Sequence, residues 1–245
     1  MLEIAGITIA GVRENNEDRI VVNHQVIRNG SFNLDKDDLC LAAVFDGLGG
    51  EGFGDEAAEL AAQFISASDP AEASVEKIKI WLEKANQIIC DRQSIDRSHR
   101  NMATTTAGLV IQGENFFTFN IGDSRIYRFR KPYLLQLSED HSVAQELLSL
   151  GLRASEEHNH VITRYLGGHN IHPHIVDGTD QSFENDLYLI CTDGLWSFVD
   201  VQKLRNILSE VEDLSTSCAK LVQTAIDNGS DDNISIVMIR RLTNG

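Results

Sequence analysis

Apolar stretches that run directly into an aspartate are the feature that most constrains the fold of this chain. Four aspartates stand at such predicted strand ends: Asp46 after 39–45, Asp123 after 116–122, Asp193 after 186–192 and Asp232 before 233–239. The rim of a sheet is rigid and can hold several carboxylates at one point, but bound cations must then neutralise their repulsion. Oxygen ligands alone favour Mg²⁺ or Mn²⁺ over zinc. The pattern therefore predicts a site for one or two hard divalent ions.

A single Asp-Gly pair is more often only a turn, so each example needs further support. Asp177-Gly178 lacks a glycine-rich continuation and is interpreted as a plain turn. Asp46 instead opens the glycine-rich stretch 46–54, whose backbone can approach an ion or a phosphate closely. This stretch matches neither the dinucleotide fingerprint nor the phosphate loop, which excludes a nucleotide-binding interpretation.

The charge of the chain disfavours several classes of partner. Asp and Glu number 37 against 21 Lys and Arg, and the net charge of −16 disfavours binding to nucleic acid or to an anionic membrane. The longest wholly apolar run, Leu39–Phe45, is too short to span a bilayer, and the first residues lack the order of a signal peptide. We therefore expect a cytoplasmic protein with no nucleic-acid or membrane partner. Its four cysteines form no Cys-x-x-Cys pair and are expected to be reduced thiols.

Predicted strands and helices come in blocks rather than in regular alternation. Strands are predicted at 39–45, 105–111, 115–121, 125–130, 186–192 and 234–239, and helices at 55–66, 75–95, 142–150, 201–208 and 216–226. The second and third strands form a hairpin around Gly113, and we expect the strand 125–130 to extend this meander. The blocks favour antiparallel sheets covered by helices, an α+β fold, and the length suits a single domain.

Six motifs in chain order carry a resemblance to a known family. They are Gly-Val-Arg-Glu-Asn-Asn-Glu-Asp-Arg at 11–19, Val-Phe-Asp-Gly-Leu-Gly-Gly at 44–50, Thr-Thr-Thr at 104–106, Ile-Gly-Asp-Ser-Arg at 121–125, Cys-Thr-Asp-Gly-Leu-Trp at 191–196 and Asp-Asp-Asn-Ile-Ser at 231–235. With these motifs the chain resembles the metal-dependent Ser/Thr protein phosphatases of type 2C, in their compact bacterial form. The resemblance implies a four-layer αββα sandwich of two antiparallel sheets flanked by helices. It also implies one domain over 1–245, with a flap at about 142–160.

The same resemblance implies a reaction and a set of partners. Family members hydrolyse phosphoserine and phosphothreonine in proteins by direct attack of a water that two Mn²⁺ or Mg²⁺ ions activate, and bacterial members can bind a weaker third ion. The expected partners are phosphorylated Ser/Thr proteins, together with a cognate Ser/Thr kinase and its substrates.

Site residues follow from the resemblance position by position. In the family, the residue matching Asp46 bridges two ions, the carbonyl matching Gly47 ligates one of them, and those matching Asp193 and Asp232 ligate the other. Glu17 and Asp18 match the acids that complete the shell, and Asp123, with Asp193, matches the ligands of the third ion. Arg13 matches the arginine that binds the substrate phosphate. Spacing alone would instead favour a surface ion pair for Arg13, because acidic residues flank it.

Other interpretations remain open at the level of sequence. A catalytically silent member that binds a phosphoprotein or kinase is disfavoured by the intact acids, and a two-metal nuclease is disfavoured by the negative charge. A zinc site is also disfavoured, because no zinc ligand spacing is present among the histidines at 141, 158, 160, 169, 172 and 174. Leu48 stands where many members carry a proton-donating histidine. The proton for the leaving group would then come from water at the metals or from a flap histidine such as His141.

Overall fold

Two six-stranded antiparallel sheets form the centre of the fold in the computed structural model. In spatial order, one sheet contains β11 (Tyr133–Gln136), β10 (Arg125–Arg130), β13 (Leu187–Cys191), β14 (Ile234–Arg241), β1 (Leu2–Ile9) and β4 (Gly30–Lys36). The other contains β12 (His174–Asp177), β9 (Asn115–Ile121), β8 (Thr106–Gln112), β5 (Leu39–Phe45), β2 (Arg19–Val22) and β3 (Gln25–Ile27). A short ladder pairs β6 (Gly47–Leu48) with β7 (Ala103–Thr104). We call these the β13 sheet and the β5 sheet.

Helices cover the outer face of each sheet. Helices α1 (Gly54–Ser66) and α2 (Val75–Ile95) pack on the β5 sheet, while α4 (Asp193–Trp196), α5 (Val201–Ser209) and α6 (Leu214–Asp227) pack on the β13 sheet. A short helix, α3 (Val143–Ser149), lies within the expected flap. The predicted αββα sandwich is thereby confirmed. No helix in the described part of the chain has the length and apolar character needed to cross a membrane.

The structure describes residues 1–49, 53–155, 157–158, 161–178 and 181–242. Three residues of the glycine-rich stretch, Gly50, Glu51 and Gly52, lie outside the described residues, as does the flap residue His160.

Strands in the middle of each sheet are buried on both faces. In β5, Leu41, Ala43 and Phe45 pack against the helices, while the intervening residues pack against the opposite sheet. Because side chains alternate between the two faces of a strand, such a strand needs apolar residues at every position. This requirement explains the uninterrupted apolar run that the sequence shows at 39–45.

The position of strand 125–130 in the predicted meander is wrong. It forms β10, which pairs with β11 and β13 in the β13 sheet rather than with β9. Ile126 faces the opposite sheet, whereas Tyr127 and Phe129 face the helices. This alternation fits the interior of either sheet, so the sequence pattern did not show that the chain crosses between sheets after Gly122.

One rim of the sandwich collects the strand ends that carry the acidic residues. Strands β5, β9 and β13 end there, and β2, β10 and β14 begin there, as the pairings Arg19 with Phe45 and Cys191 with Ile236 show. The antiparallel topology therefore brings together segments that are far apart in the sequence.

Candidate metal centre

A polar pocket opens at this rim. It is lined by six of the predicted site residues, Arg13, Glu17, Asp46, Gly47, Asp193 and Asp232, together with Glu14, Asn15, Leu48, Gly49 and Asn233. The two remaining predicted ligands, Asp18 and Asp123, are buried, each with 1% of its surface exposed. Asp177 is an exposed residue of edge strand β12 and does not line the pocket.

Hydrogen bonds from two threonines hold the backbone of Asp46. The carbonyl of Asp46 accepts from the Thr105 N–H at 2.9 Å and from Thr104 Oγ1 at 2.8 Å. The Thr105 hydroxyl is also hydrogen bonded to Ser124 Oγ, at 2.7 Å, which connects this loop to the segment after Asp123. The motif at 104–106 therefore fixes the backbone of Asp46, a role that the sequence alone did not show.

Close backbone packing explains the glycines next to Asp46. A Cβ atom on Gly47 would lie 2.5 Å from the carbonyl of Gly54 and 2.7 Å from the carbonyl of Glu17. A Cβ atom on Gly54 would lie 2.7 Å from the carbonyl carbon of Gly47 and 2.8 Å from its oxygen. Since no side chain fits at either position, the start of α1 and the Glu17 loop can pack directly against the strand end.

Asp18 lies at the contact between the two sheets. Its Oδ2 accepts a hydrogen bond from Thr192 Oγ1 at 3.0 Å, and that same hydroxyl oxygen accepts from the Ser235 N–H at 3.1 Å. Thr192 directly precedes Asp193, so a single hydroxyl connects Asp18 of the β5 sheet to the strand end that carries Asp193.

Asn233 joins the two loops that border the pocket, and sequence analysis assigned it no role. Its Nδ2 donates to the carbonyls of Ala10 and Asn15, both at 2.9 Å, and its Oδ1 accepts from the Glu17 N–H at 2.8 Å. These bonds fix Glu17 relative to Asp232, although the two residues are distant in the sequence. The sequence signal that could have identified Asn233 is its place in the motif at 231–235, directly after Asp232.

Arg13 contacts the loop that carries Asp232. Its Nε donates to the Asp231 carbonyl at 2.6 Å, and its guanidinium lies 3.2 Å from Asp232 Oδ2. The side chain is 54% exposed, so the ion pair is weak and the guanidinium can exchange partners at low cost. Arg13 lines the pocket and also forms an ion pair. Its position is therefore compatible with both interpretations, phosphate binding and a surface ion pair.

Crowded acids change their own protonation. Burial, together with nearby Asp193 and other carboxylates, holds the pKa of Asp46 well above its usual range. Burial raises the pKa of Asp18 to about 7 and, with Asp193 and Asp140, the pKa of Asp123 to about 8. Burial also raises the pKa of Glu17, with Asp55 and Asp232 adding to the shift. The rim thus carries more negative charge than it can hold without a counter-charge.

The donor set fits hard divalent cations. Every acidic group at the rim offers carboxylate oxygen, and the buried Oδ1 of Asp123 accepts no hydrogen bond within the described structure. No three of the described His, Cys, Asp and Glu side chains are already arranged around one point as a metal cluster. Mg²⁺ typically binds through one or two carboxylates and keeps several waters, so one aspartate together with a backbone carbonyl would suffice to hold it.

His141 does not line the pocket. It is buried, its Nδ1 accepts from the Gly122 N–H at 3.1 Å, and its Nε2 has no partner within the described residues. Burial, followed by the charges of Arg164 and His174, lowers its pKa to about 4. His141 is therefore neutral near pH 7, which argues against its proposed role as proton donor.

Comparison with known proteins places the pocket in a family context. A family model described as protein phosphatase 2C matches residues 27–228. The chain is 30% identical over 237 residues to a serine/threonine phosphatase stp of Listeria monocytogenes, covering 91% of this chain and 93% of that protein. It is 31% identical over 251 residues to the protein phosphatase PhpP of Streptococcus pneumoniae, covering 97% of each.

A solved structure is similar over nearly the whole chain. The serine/threonine phosphatase PstP/Ppp of Mycobacterium tuberculosis superposes with a TM-score of 0.83 at 25% identity, covering 99% of this chain and 100% of that one. A structure of the PstP catalytic domain in complex with two manganese ions has a TM-score of 0.82 at 26% identity, with the same coverage.

Acid crowding predicts that the metal-free protein loses stability as pH rises. The pKa values of Asp18 and Asp123 in the folded protein are raised above 3.8. The contribution of these acids to the stability of the folded state is therefore fully present below about pH 4 and is lost as the pH rises to about 8. Asp18→Asn should therefore raise the Tm at pH 8 in EDTA by about 3 °C or more, and it should reduce the rise in Tm that Mn²⁺ causes. Thermal unfolding by circular dichroism measures both effects, with exposed Asp177→Asn as control. A Tm at pH 8 that Asp18→Asn leaves unchanged or lowers would contradict this account.

Proposed function

This chain belongs to the protein phosphatase 2C family, and we propose that its rim pocket binds Mn²⁺ or Mg²⁺ and hydrolyses phosphoserine and phosphothreonine in proteins. One observation carries the proposal: Arg13 and five of the predicted ligands line a single pocket, with Asp18 and Asp123 buried behind it. When two divalent ions are bound, they lower the pKa of a water molecule and neutralise the phosphate oxygens.

The residues of the chain have separate roles in this proposal. Asp46, the Gly47 carbonyl, Asp193 and Asp232 would hold the two ions. Glu17 and Asp18 would complete the ligand shell. Asp123, buried next to Asp193, would hold a weaker third ion. Repulsion among these acids favours binding of cations, because the ligands are held at the rim by strands and by hydrogen bonds to threonine and asparagine side chains.

Arg13 is suited to bind the dianionic phosphate. Its guanidinium is exposed at the mouth of the pocket and is paired only weakly with Asp232. With Asp232 engaged as a metal ligand, the Arg13 guanidinium would be available for a bidentate contact with phosphate oxygens.

The described lining of the pocket contains no histidine, and Leu48 occupies the position next to the Asp-Gly pair. Glu17 is a lining acid with a raised pKa, but it is also an expected ligand. We therefore propose that no dedicated histidine protonates the leaving oxygen and that solvent in the pocket supplies the proton.

We further propose the setting in which the enzyme acts. Its substrates are proteins phosphorylated on Ser or Thr, among them a cognate Ser/Thr kinase and the proteins that this kinase phosphorylates. Residues 1–245 act as one catalytic domain, with a flap at about 142–160. The four cysteines are free, which suits the reducing cytoplasm.

Activity should depend on metal and on the strand-end acids. The protein should hydrolyse p-nitrophenyl phosphate and a phosphothreonine peptide with Mn²⁺ or Mg²⁺ but not in EDTA. Asp46→Asn and Asp193→Asn should each lower kcat by at least about 100-fold, beyond the loss typical of residues outside the ligand shell. Asp177→Asn is the control and should be fully active. Full turnover in EDTA, or folded protein that is inactive with every metal, would refute the proposed function.

Arg13→Ala should weaken substrate binding without weakening metal binding. We expect KM for the phosphothreonine peptide to rise by about tenfold, because charge-assisted hydrogen bonds contribute roughly 1.5–3 kcal/mol. Affinity for Mn²⁺, measured by calorimetry, should not fall, since the variant removes a positive charge near Asp232. An unchanged KM would make Arg13 a surface ion-pair residue only.

Leu48→His should distinguish substrates by their leaving groups. Nitrophenolate needs little protonation on departure, whereas a serine alkoxide needs a great deal. The variant should leave p-nitrophenyl phosphate turnover nearly unchanged, alter the phosphoserine peptide rate, and add an ionisation between about pH 6 and 7 to that rate. Equal effects on both substrates would show that proton donation by side chains has no influence here.

A further inference from the structure

Two amide side chains of α2 hold the segment that follows the flap. Asn86 and Gln93 are separated by two helical turns and therefore lie on the same face of α2. Asn86 Oδ1 accepts from the Gly167 N–H at 2.7 Å, and Asn86 Nδ2 donates to the Gly168 carbonyl at 3.1 Å. We call residues Leu166, Gly167 and Gly168 the strap. Both backbone groups of the strap that face Asn86 are thus satisfied by a single side chain.

Gln93 joins the strap to the start of β7. Its Nε2 donates both to the Gly167 carbonyl at 2.9 Å and to the Met102 carbonyl at 2.8 Å. Gly167 has a φ of +94°, and a Cβ atom there would lie 2.8 Å from the Met102 carbonyl oxygen and 2.9 Å from Ile89 Cγ2. The close approach of strap, β7 and helix therefore depends on this glycine and on one shared amide.

The strap continues the connection to the metal centre. The Thr104 N–H donates to the Leu166 carbonyl at 3.1 Å, and the Leu166 N–H donates to the Thr104 carbonyl at 2.8 Å. Thr104 and Leu166 are both completely buried. Thr104 also donates its hydroxyl to the Asp46 carbonyl and pairs with Gly47 in the ladder of β6 and β7. A continuous series of hydrogen bonds thus runs from α2 through the strap and Thr104 to Asp46.

We propose that Asn86 and Gln93 are positioning residues for the metal centre, which fix Asp46 and Gly47 through the strap and Thr104. Ligands must be held within about 0.5 Å of the productive geometry, and a backbone carbonyl ligand such as that of Gly47 can be adjusted only by moving the backbone. The inference rests on the proposed function for the identity of the ions. It also gives a role to the segment 161–168 that follows the flap, because the strap in this segment is hydrogen bonded to Thr104, which holds the Asp46 backbone.

A purely structural role is the competing explanation, since both amides also satisfy buried carbonyls. Gln112 provides a matched control because its Nε2 likewise donates to two backbone carbonyls, those of Pro70 at 2.7 Å and Ala73 at 3.3 Å. Gln112 ends β8 at the opposite end from the rim. Gln93→Leu and Gln112→Leu therefore remove the same chemical interaction at two places.

Two measurements on the full chain separate these explanations. In hydrogen exchange without metal, Gln93→Leu should speed exchange of the amides of Thr104, Thr105 and Leu166 by about tenfold, and Gln112→Leu should not. In calorimetry with Mn²⁺, Gln93→Leu should weaken binding by roughly three- to tenfold. Mutation of residues that hydrogen bond directly to metal ligands typically lowers metal affinity by about 10- to 100-fold, and Gln93 acts less directly. Gln112→Leu should bind Mn²⁺ like the wild type even where it lowers Tm by the same amount.

Asn86→Ala gives a second, independent variant should Gln93→Leu fold poorly. It should produce the same exchange pattern, and the loss of Mn²⁺ affinity in the double variant should be smaller than the sum of the two single losses in free energy, because both act through the strap. Unchanged exchange at Thr104 and Thr105, or equal losses of affinity at Gln93 and Gln112, would overturn the inference. If the wild type binds Mn²⁺ but hydrolyses no phosphopeptide, the proposed function fails while these outcomes still decide the positioning role.

Discussion

Repulsion among carboxylates at one sheet rim is the constraint on which the rest of the structure depends. Asp18, Asp46 and Asp123 are each shifted toward the protonated form by burial and by neighbouring acids. In a flexible loop, such side chains would separate into solvent and the repulsion would disappear. Here the acids stand at strand ends, and the backbone of Asp46 is held by Thr104 and Thr105. The unfavourable charge density is therefore relieved by protonation or by a bound cation rather than by movement of the acids.

Such a site lowers the stability of the fold, and the rest of the molecule must offset this cost. Three apolar layers do so: one between α1, α2 and the β5 sheet, one between the two sheets, and one between the β13 sheet and α4 to α6. Because net stability is a small difference between large opposing terms, a few kcal/mol of repulsion is tolerable only in a chain with such extensive burial. A metal that binds the folded state alone then returns part of the lost stability.

How well each part of the fold and of the site could be predicted from the sequence depends on how far apart along the chain the interacting residues lie. The position of the aspartates at strand ends predicts that they lie close together, because strand ends meet at the rim of a sheet. This part of the site could therefore be predicted from the sequence. Strands β1 to β4 were not predicted; in β1, for example, Glu3, Gly6 and Thr8 interrupt the apolar pattern. The contacts of Asn233 with Ala10, Asn15 and Glu17 connect opposite ends of the chain and leave no local pattern. Likewise, the amides of Asn86 and Gln93 look like ordinary polar residues of an amphipathic helix in the sequence. Their role depends on the contact with the strap, which only the structure shows.

The division of the acidic residues between the two sheets determines which interactions control the geometry of the site. Asp18 and Asp46 lie at the ends of strands of the β5 sheet, and Asp193 and Asp232 lie just beyond the ends of strands of the β13 sheet, so the two halves of the site are fixed relative to each other by the apolar layer between the sheets. Packed sheets keep a separation of about 10 Å that side-chain volume determines. Ile20, Val44 and Ile190 in this layer therefore influence the spacing of the acidic residues. At the rim, the Thr192 hydroxyl donates to Asp18 and accepts from the Ser235 N–H, and Asn233 joins the bordering loops, so these hydrogen bonds adjust that spacing locally.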